Sequence, residues 1–335
     1  MGCNLRDLVS PHSIELSELR GQRVAVDVFL NAYQFITSLT GPDGRPLSHE
    51  GRVTAHLYGF LDRASSLVAY GIDPVFVFDG KAPHLKRDTL DERKTKKQEA
   101  RRRWEAAIEA DDMDSAKKLG PQIAEYTPSM VQDTKRLFDL MGIVWIDAPM
   151  EAEGAAAMIC KRGGVSAVAS QDWDTLLYGA PVMIRNLTAH GTKRFGRVLT
   201  AERIELEETL INLGISKEQF VDLGIMIGTD FHPGFKGVGP KTGIKLIRKF
   251  GTLEEVAGYR GVEVPENIDE IRSLFHNHPT VEEDPPTFSS GQEEGIVEML
   301  RNELGFGEGR ITKAIERLSS ANRLKSSSKP TLFDF

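Results

Sequence analysis

Cysteine is scarce in this chain: Cys3 and Cys160 are the only two in 335 residues. Two thiols cannot build a disulfide framework, and neither lies in a spacing that ligates zinc. Long apolar runs are missing as well, so no segment is expected to cross a bilayer. The opening MGCNLRDLVSPHS has no charged-then-apolar secretory pattern, and the expectation is an intracellular, cytoplasmic protein. Its Gly2-Cys3 start is no lipidation signal, because position six holds Arg6 rather than Ser or Thr. Excess positive charge is also absent: 42 Lys and Arg against 49 Asp and Glu leave a net charge of −7. Spread evenly, that charge would argue against a nucleic-acid partner. No internal repeat divides the chain. What remains is the composition of a globular protein, long enough for one large domain or two ordinary ones.

The charge is not spread evenly. Lys81, Lys86, Arg87, Arg93, Lys94, Lys96, Lys97 and Arg101 to Arg103 crowd into one stretch and outnumber Asp88, Asp91, Glu92 and Glu99. Binding depends on where charge lies rather than on its sum. This is a local positive surface on an acidic protein.

Buried strands are expected at QRVAVDVF and PVFVFDG, and again at IVWI, VSAVA and PVMIR; FGRVL adds a hairpin strand. Helical periodicity lies between them, as in VTAHLYGFLDRASSLVAYG and PSMVQDTKRLFDLMG, which end at Gly71 and Gly142. That alternation predicts an α/β fold with a mostly parallel central sheet flanked by helices. Residues 1–83 and 128–199 are expected to form the sheet core within one domain, 1–325. The mostly polar helical segment 84–127 is expected to stand away from the core and to be mobile without a ligand. From Thr200 to 325 only helices are expected, and 326–335 is a flexible tail.

Asp27, Asp79, Glu151, Glu153, Asp172, Asp174 and Asp230 recur where a strand ends or a helix begins. Each alone reads equally as a turn residue or a helix cap. Together they gather at the carboxyl ends of successive strands, where open α/β sheets bind ligands. Carboxylates so gathered repel unless a cation lies between them. Oxygen ligands without His or Cys suit a hard divalent ion, Mg²⁺ foremost. Two such ions roughly 3.5–4 Å apart support in-line phosphoryl displacement. Asp79 and Glu153 are expected to hold one ion and Asp172, Asp174 and Asp230 the other, with Asp27 and Glu151 acting through metal-bound water. Glu151 and Glu153 do not share a helix face, so they converge only in a first turn or the loop before it.

GVGPKTG is neither a Walker loop, since Pro240 separates Gly239 from Lys241, nor GxGxxG. Helix–GVGPK–helix suits a hairpin whose backbone N–H groups, at Gly237 and Gly239, face a phosphate backbone. Lys241, Lys245, Arg248 and Lys249 add charge. The plain alternative is a packing hairpin with a solvated Lys-rich face. Lys86 and Arg93 lie two helical turns apart just after Asp79, within reach of a phosphate at the acidic site; a solvated helix face is the other reading. Tyr33 is either a base-stacking ring or a core aromatic.

AVDVFLNAYQF, PVFVFDGKAPHLK, MGIVWIDAPMEAEGAAA, ASQDWDTLLYGAPVMIRNLT and EQFVDLGIMIGTDFHPGFKGVGPKTGIKLI, with MG at the N-terminus, resemble in order the flap endonuclease group of structure-specific 5′ nucleases. EAEG, DWD and IGTDF followed by GVGPK make a specific combination, and the likeness covers nearly the whole chain. The resemblance implies a PIN-like 5′ nuclease core, a helical arch at 84–127, and a C-terminal half with a helix-hairpin-helix element. It implies a Mg²⁺-dependent hydrolase with two ions, for which Mn²⁺ can substitute. The reaction implied is endonucleolytic removal of 5′ flaps with 5′–3′ exonuclease activity, in replication and repair, including Okazaki fragment processing and long-patch base excision repair.

By position, the seven carboxylates match the family's metal site, and Lys86 and Arg93 its catalytic cations. Gly2 and Tyr33 fall at DNA contacts, and Thr54 and Arg63 where a one-nucleotide 3′ flap is held. The backbone carbonyls of Gly234, Phe235 and Val238 match a K⁺ site. Lys329, Leu332, Phe333 and Phe335 resemble a peptide for a PCNA-type sliding clamp, with Lys329 where a Gln is usual. Gln171 stands where an acid is common. The length implies the compact archaeal type, acting as a monomer. The competing readings are a junction or excision-repair incision nuclease of the same superfamily, and a non-catalytic clamp-bound DNA scaffold. Concentrated negative charge beside DNA speaks against the scaffold.

Overall fold

The computed structural model describes residues 3–194 and 196–327. The chain opens with a short edge strand β1 (His12–Ile14), then β2 (Arg23–Asp27) and α1 (Val28–Ser38). A small hairpin, β3 (Ser48–His49) with β4 (Arg52–Val53), leads into α2 (Ala55–Ala69) and β5 (Asp73–Phe78). The basic segment forms α3 (Arg87–Glu109) and α4 (Met113–Ile123), followed by α5 (Pro128–Met141). The sheet resumes with β6 (Val144–Asp147), α6 (Ala152–Lys161), β7 (Ala167–Ala169), the short α7 (Asp174–Leu177) and β8 (Val182–Arg185). A hairpin, β9 (Lys193–Arg194) and β10 (Arg197–Val198), precedes β11 (Ala201–Glu205). The remainder is helical: α8 (Leu206–Leu213), α9 (Lys217–Ile227), α10 (Pro240–Phe250), α11 (Leu253–Arg260), α12 (Ile268–His276), α13 (Glu293–Val297) and α14 (Glu308–Ser327).

The main sheet runs β1-β11-β8-β7-β2-β5-β6. Its five strands from β8 to β6 are parallel, while β11 and β1 continue it antiparallel. The chain moves outward from β2 through β5 to β6, then returns to lay β7 and β8 on the other side of β2. The strand order therefore reverses between β2 and β7, the crevice where such sheets bind ligands.

Burial explains the strand composition. Val24, Val26, Phe76 and Phe78 point to one face, into a core with α1, α2, α5 and α14. Ala25, Val75 and Val77 point to the other, under α6 and α9 to α12. Both faces are covered, so these strands read as apolar runs rather than alternating ones. Phe60, Phe76 and Phe138 pack together with ring centroids 4.3 to 5.8 Å apart. Burying each such ring stabilises the fold by roughly 1.5–3 kcal/mol.

Two expectations need correction. A strand, β11, follows Thr200 where only helix was expected. Its AERIE sequence hides the strand: Ala201 and Ile204 are buried, but Glu202 and Arg203 stay partly exposed and pair with Arg185 and Glu205. The basic segment also does not stand clear of the body. Trp104 donates its indole N–H to the Asp43 carbonyl at 3.0 Å, and Ala116 and Leu119 of α4 are buried. The apolar face of α4 was hidden by the polarity of α3 beside it.

Candidate active site

Because β2, β5, β6 and β7 are parallel, their carboxyl ends share one edge, and the acids that follow them meet there. Asp27 closes β2 and caps α1, accepting from the Leu30 N–H at 3.0 Å. Asp79 follows β5 and accepts from the Ala152 N–H at 2.6 Å, at the opening of α6. Gly80 makes that approach possible, since a Cβ there would lie 2.0 Å from the Ala148 carbonyl oxygen. Glu151 is the N-cap of α6 and Glu153 lies in its first turn, the arrangement that lets the two converge. After β7, the Asp174 N–H donates to Asp172 Oδ1 at 3.1 Å, and Asp174 Oδ1 accepts from the Cys3 N–H at 2.7 Å. Asp230 arrives from the turn beyond α9.

The cap reading holds for Asp27 and Asp79, and their bonds to helix-start N–H groups place both carboxylates at the same edge of the sheet. Electrostatics ties the acids together. Loss of water raises Asp27 to about 8, with Asp79 adding to it. Burial and then Asp172 push Glu153 and Asp174 far above the ordinary carboxylate range. Asp172 is raised by burial and by Asp230. Asp230 moves the other way: burial alone would raise it, but Lys86 and Arg93 hold it well below the usual value.

Lys86 is almost fully buried, and its ammonium lies between Glu151 and Asp230, 3.1 Å from Asp230 Oδ2. Burial opposes that charge, yet Glu153, Glu151 and Asp230 together hold it protonated. Arg93 grips both oxygens of Asp230 at 2.8 and 2.9 Å, and Thr89 donates to the Asp230 carbonyl. Both cations share a face, as their spacing implied, but they meet the acids rather than stand beside them.

Among the described residues, no three acids stand in an arrangement that would itself hold an ion. The donor set nevertheless fits a hard divalent cation: every candidate ligand is a carboxylate, and Lys86 and Arg93 already serve as partial counter-charge. Several carboxylates held far above their usual range are a site that gains stability from more positive charge.

The other expected residues are dispersed. Tyr33 is 41% exposed on α1. Thr54 is buried at the start of α2. Arg63 lines a cleft of about 570 Å³ with Gln34, Tyr58, Asp62 and Arg310. Gly234 and Gly237 have φ of 84° and 78°, and Gly239 is the N-cap of α10. Phe235 and Val238 bury their side chains while the Val238 N–H donates to the Phe235 carbonyl at 2.9 Å. Lys241, Lys245 and Arg248 are exposed on α10, and Arg248 also donates to the Leu213 carbonyl at 2.7 Å. Gly2, Lys329, Leu332, Phe333 and Phe335 lie outside the described residues. Two site neighbours escaped the sequence reading, Cys3 and Tyr178. Cys3 carried no signal because its backbone does the work; Tyr178 looked like a core aromatic in an apolar run.

Comparison with known proteins gives the family. Residues 1–100 match the XPG N-terminal domain and residues 142–230 the XPG I-region, placing the chain within a nuclease class. Flap endonuclease 1 of Methanosarcina barkeri is 42% identical over 330 residues, covering 96% of this chain and 97% of the relative. Flap endonuclease 1 of Aeropyrum pernix is 38% identical across 100% of this chain and 99% of the relative. The solved flap endonuclease-1 from Methanococcus jannaschii superposes with a TM-score of 0.77 at 35% identity, covering 97% of this chain and all of that one. The chain belongs to the flap endonuclease family, nucleases that hydrolyse DNA phosphodiester bonds, and its mostly parallel sheet with a helical C-terminal half is the fold of that family. No described helix is long and apolar enough to cross a membrane.

Proposed function

We propose that the strand-end carboxylates hold two Mg²⁺ ions and that the chain uses them to cut 5′-flap DNA one nucleotide into the duplex. The observation that carries this reading is the gathering of mutually repelling strand-end acids with Lys86 and Arg93 at one edge of the sheet. When bound, the ions supply an activated water and charge stabilisation for the leaving oxygen. Asp79 and Glu153 are assigned to one ion and Asp172, Asp174 and Asp230 to the other, with Asp27 and Glu151 behind them. Mn²⁺ is expected to substitute, having the same preference for oxygen ligands.

The chain's own groups do the rest. Lys86 and Arg93 place positive charge where a phosphate would enter, and electrostatic stabilisation of developing charge is their role. Residues 84–127 serve as an arch over the 5′ strand, with Lys94, Lys96 and Arg101 to Arg103 of α3 exposed. Residues 200–325 grip the duplex, with the N–H groups at Gly237 and Gly239 and the ammoniums of Lys241 and Lys245 on phosphates. K⁺ at the carbonyls of Gly234, Phe235 and Val238 supports that hairpin. Tyr33 stacks near the cut, and Thr54 and Arg63 take a short 3′ flap. A monomer tethered to a PCNA-type clamp through Lys329, Leu332, Phe333 and Phe335 completes the account.

A panel of labelled substrates tests the substrate class. Double-flap DNA is expected to be cut faster than nicked, bubble or four-way-junction DNA, and only with a divalent cation. Equal rates on the junction would favour a resolving nuclease instead.

A further inference from the structure

We infer that Tyr178 is a positioning residue that fixes Glu151 for metal binding, an inference resting on the reading of Glu151 as part of the metal site. Tyr178 is fully buried, and its hydroxyl donates to Glu151 Oε2 at 2.6 Å. The other oxygen, Oε1, is the one that faces Lys86. The phenol thus occupies one carboxylate oxygen from within the core and leaves its twin to Lys86. A Phe would fill the same volume without the donor, so the hydroxyl's purpose at this depth is the carboxylate. An unpaired buried hydroxyl would be destabilising.

The ring is itself held. Phe275 lies 5.0 Å away and His278 packs edge-on at 5.0 Å. His278 is buried, with Nδ1 2.8 Å from the Pro279 carbonyl and Nε2 without a hydrogen-bond partner. It fits only because residue 154 is glycine: a Cβ there would come within 2.5 Å of the imidazole. Thr280 then donates to the Ala155 carbonyl at 3.1 Å, closing the loop after α12 onto the first turns of α6. Glu151 is therefore fixed by its place at the head of α6 and by a donor clamped from α12. Hydrogen-bond partners behind a metal-site carboxylate set its orientation, and losing one weakens metal binding about 10–100-fold; for Glu151, which acts through metal-bound water, the lower end of that range applies.

The experiment titrates Mn²⁺ into wild type and Tyr178→Phe, following the free-ion signal by electron paramagnetic resonance, with melting temperatures in EDTA alongside. The expected result is a rise of about tenfold in the Mn²⁺ dissociation constant of Y178F, with KM for flap DNA unchanged. Gly154→Ala, which drives the His278 ring toward Tyr178, is expected to weaken Mn²⁺ binding too, and Gly154→Ala with His278→Ala to recover it. Wild-type Mn²⁺ binding with no change in folded Y178F would overturn this inference alone. Absence of binding by the wild type would overturn the metal-site reading and this inference with it. Loss of Mn²⁺ affinity in G154A that the double variant does not restore would overturn the clamp, whether or not Y178F folds.

Discussion

Asp174→Ala is expected to bind flap DNA about as tightly as wild type and to cut it at least about 10³-fold more slowly in single turnover. That figure is the upper end of what one transition-state-stabilising group contributes, and a metal ligand does more than one hydrogen-bond donor. Asp174 is 2% exposed, so it can contribute little to DNA contact directly. Its removal also relieves repulsion from Asp172 and Asp230, at the loss of its bond to the Cys3 N–H. The melting temperature in EDTA should therefore hold while the rate collapses. Turnover within tenfold of wild type would remove Asp174 from the site.

The second large effect is at the cations. Lys86→Ala with Arg93→Ala is expected to slow single-turnover cleavage by about 10²–10³-fold, with a much smaller change in DNA affinity. Stability has to be controlled here. Lys86 is the buried counter-charge of Glu151 and Asp230, and removing one partner of a buried pair is destabilising by roughly 3–5 kcal/mol. Added Mg²⁺ should offset most of that loss by supplying the missing charge, so rates are to be compared at saturating metal. Lys86→Gln separates the two roles, keeping bulk and hydrogen bonding without the charge. An unchanged rate in the double variant would leave Lys86 and Arg93 as structural ion pairs only.

Much of this site could be read from the chain because a parallel sheet turns sequence order into spatial order. Once RVAVD and PVFVFD were strands buried on both faces, the acids following them had to share an edge. The helix-start positions of Glu151 and Glu153 followed from the same rule. What could not be read depended on partners far apart in the chain. The Tyr178 hydroxyl finds Glu151 across the interior, and nothing in LLYG distinguishes it from a ring that only packs. Lys86 was placed near the acids by its distance from Asp79, but sequence could not tell an ammonium beside the acids from one buried among them. β11 stayed hidden because its exposed positions are filled by charges that pair with neighbours, erasing the apolar pattern that marks β2 and β5.

Crystals of the protein soaked in Mn²⁺ and measured at the manganese absorption edge provide the most direct test. Two anomalous peaks are predicted, one beside Asp79 and Glu153 and one beside Asp172, Asp174 and Asp230, with the Lys86 ammonium withdrawn from Glu151. A clean map at that edge of the sheet, with Lys86 still seated among the acids, would contradict the account.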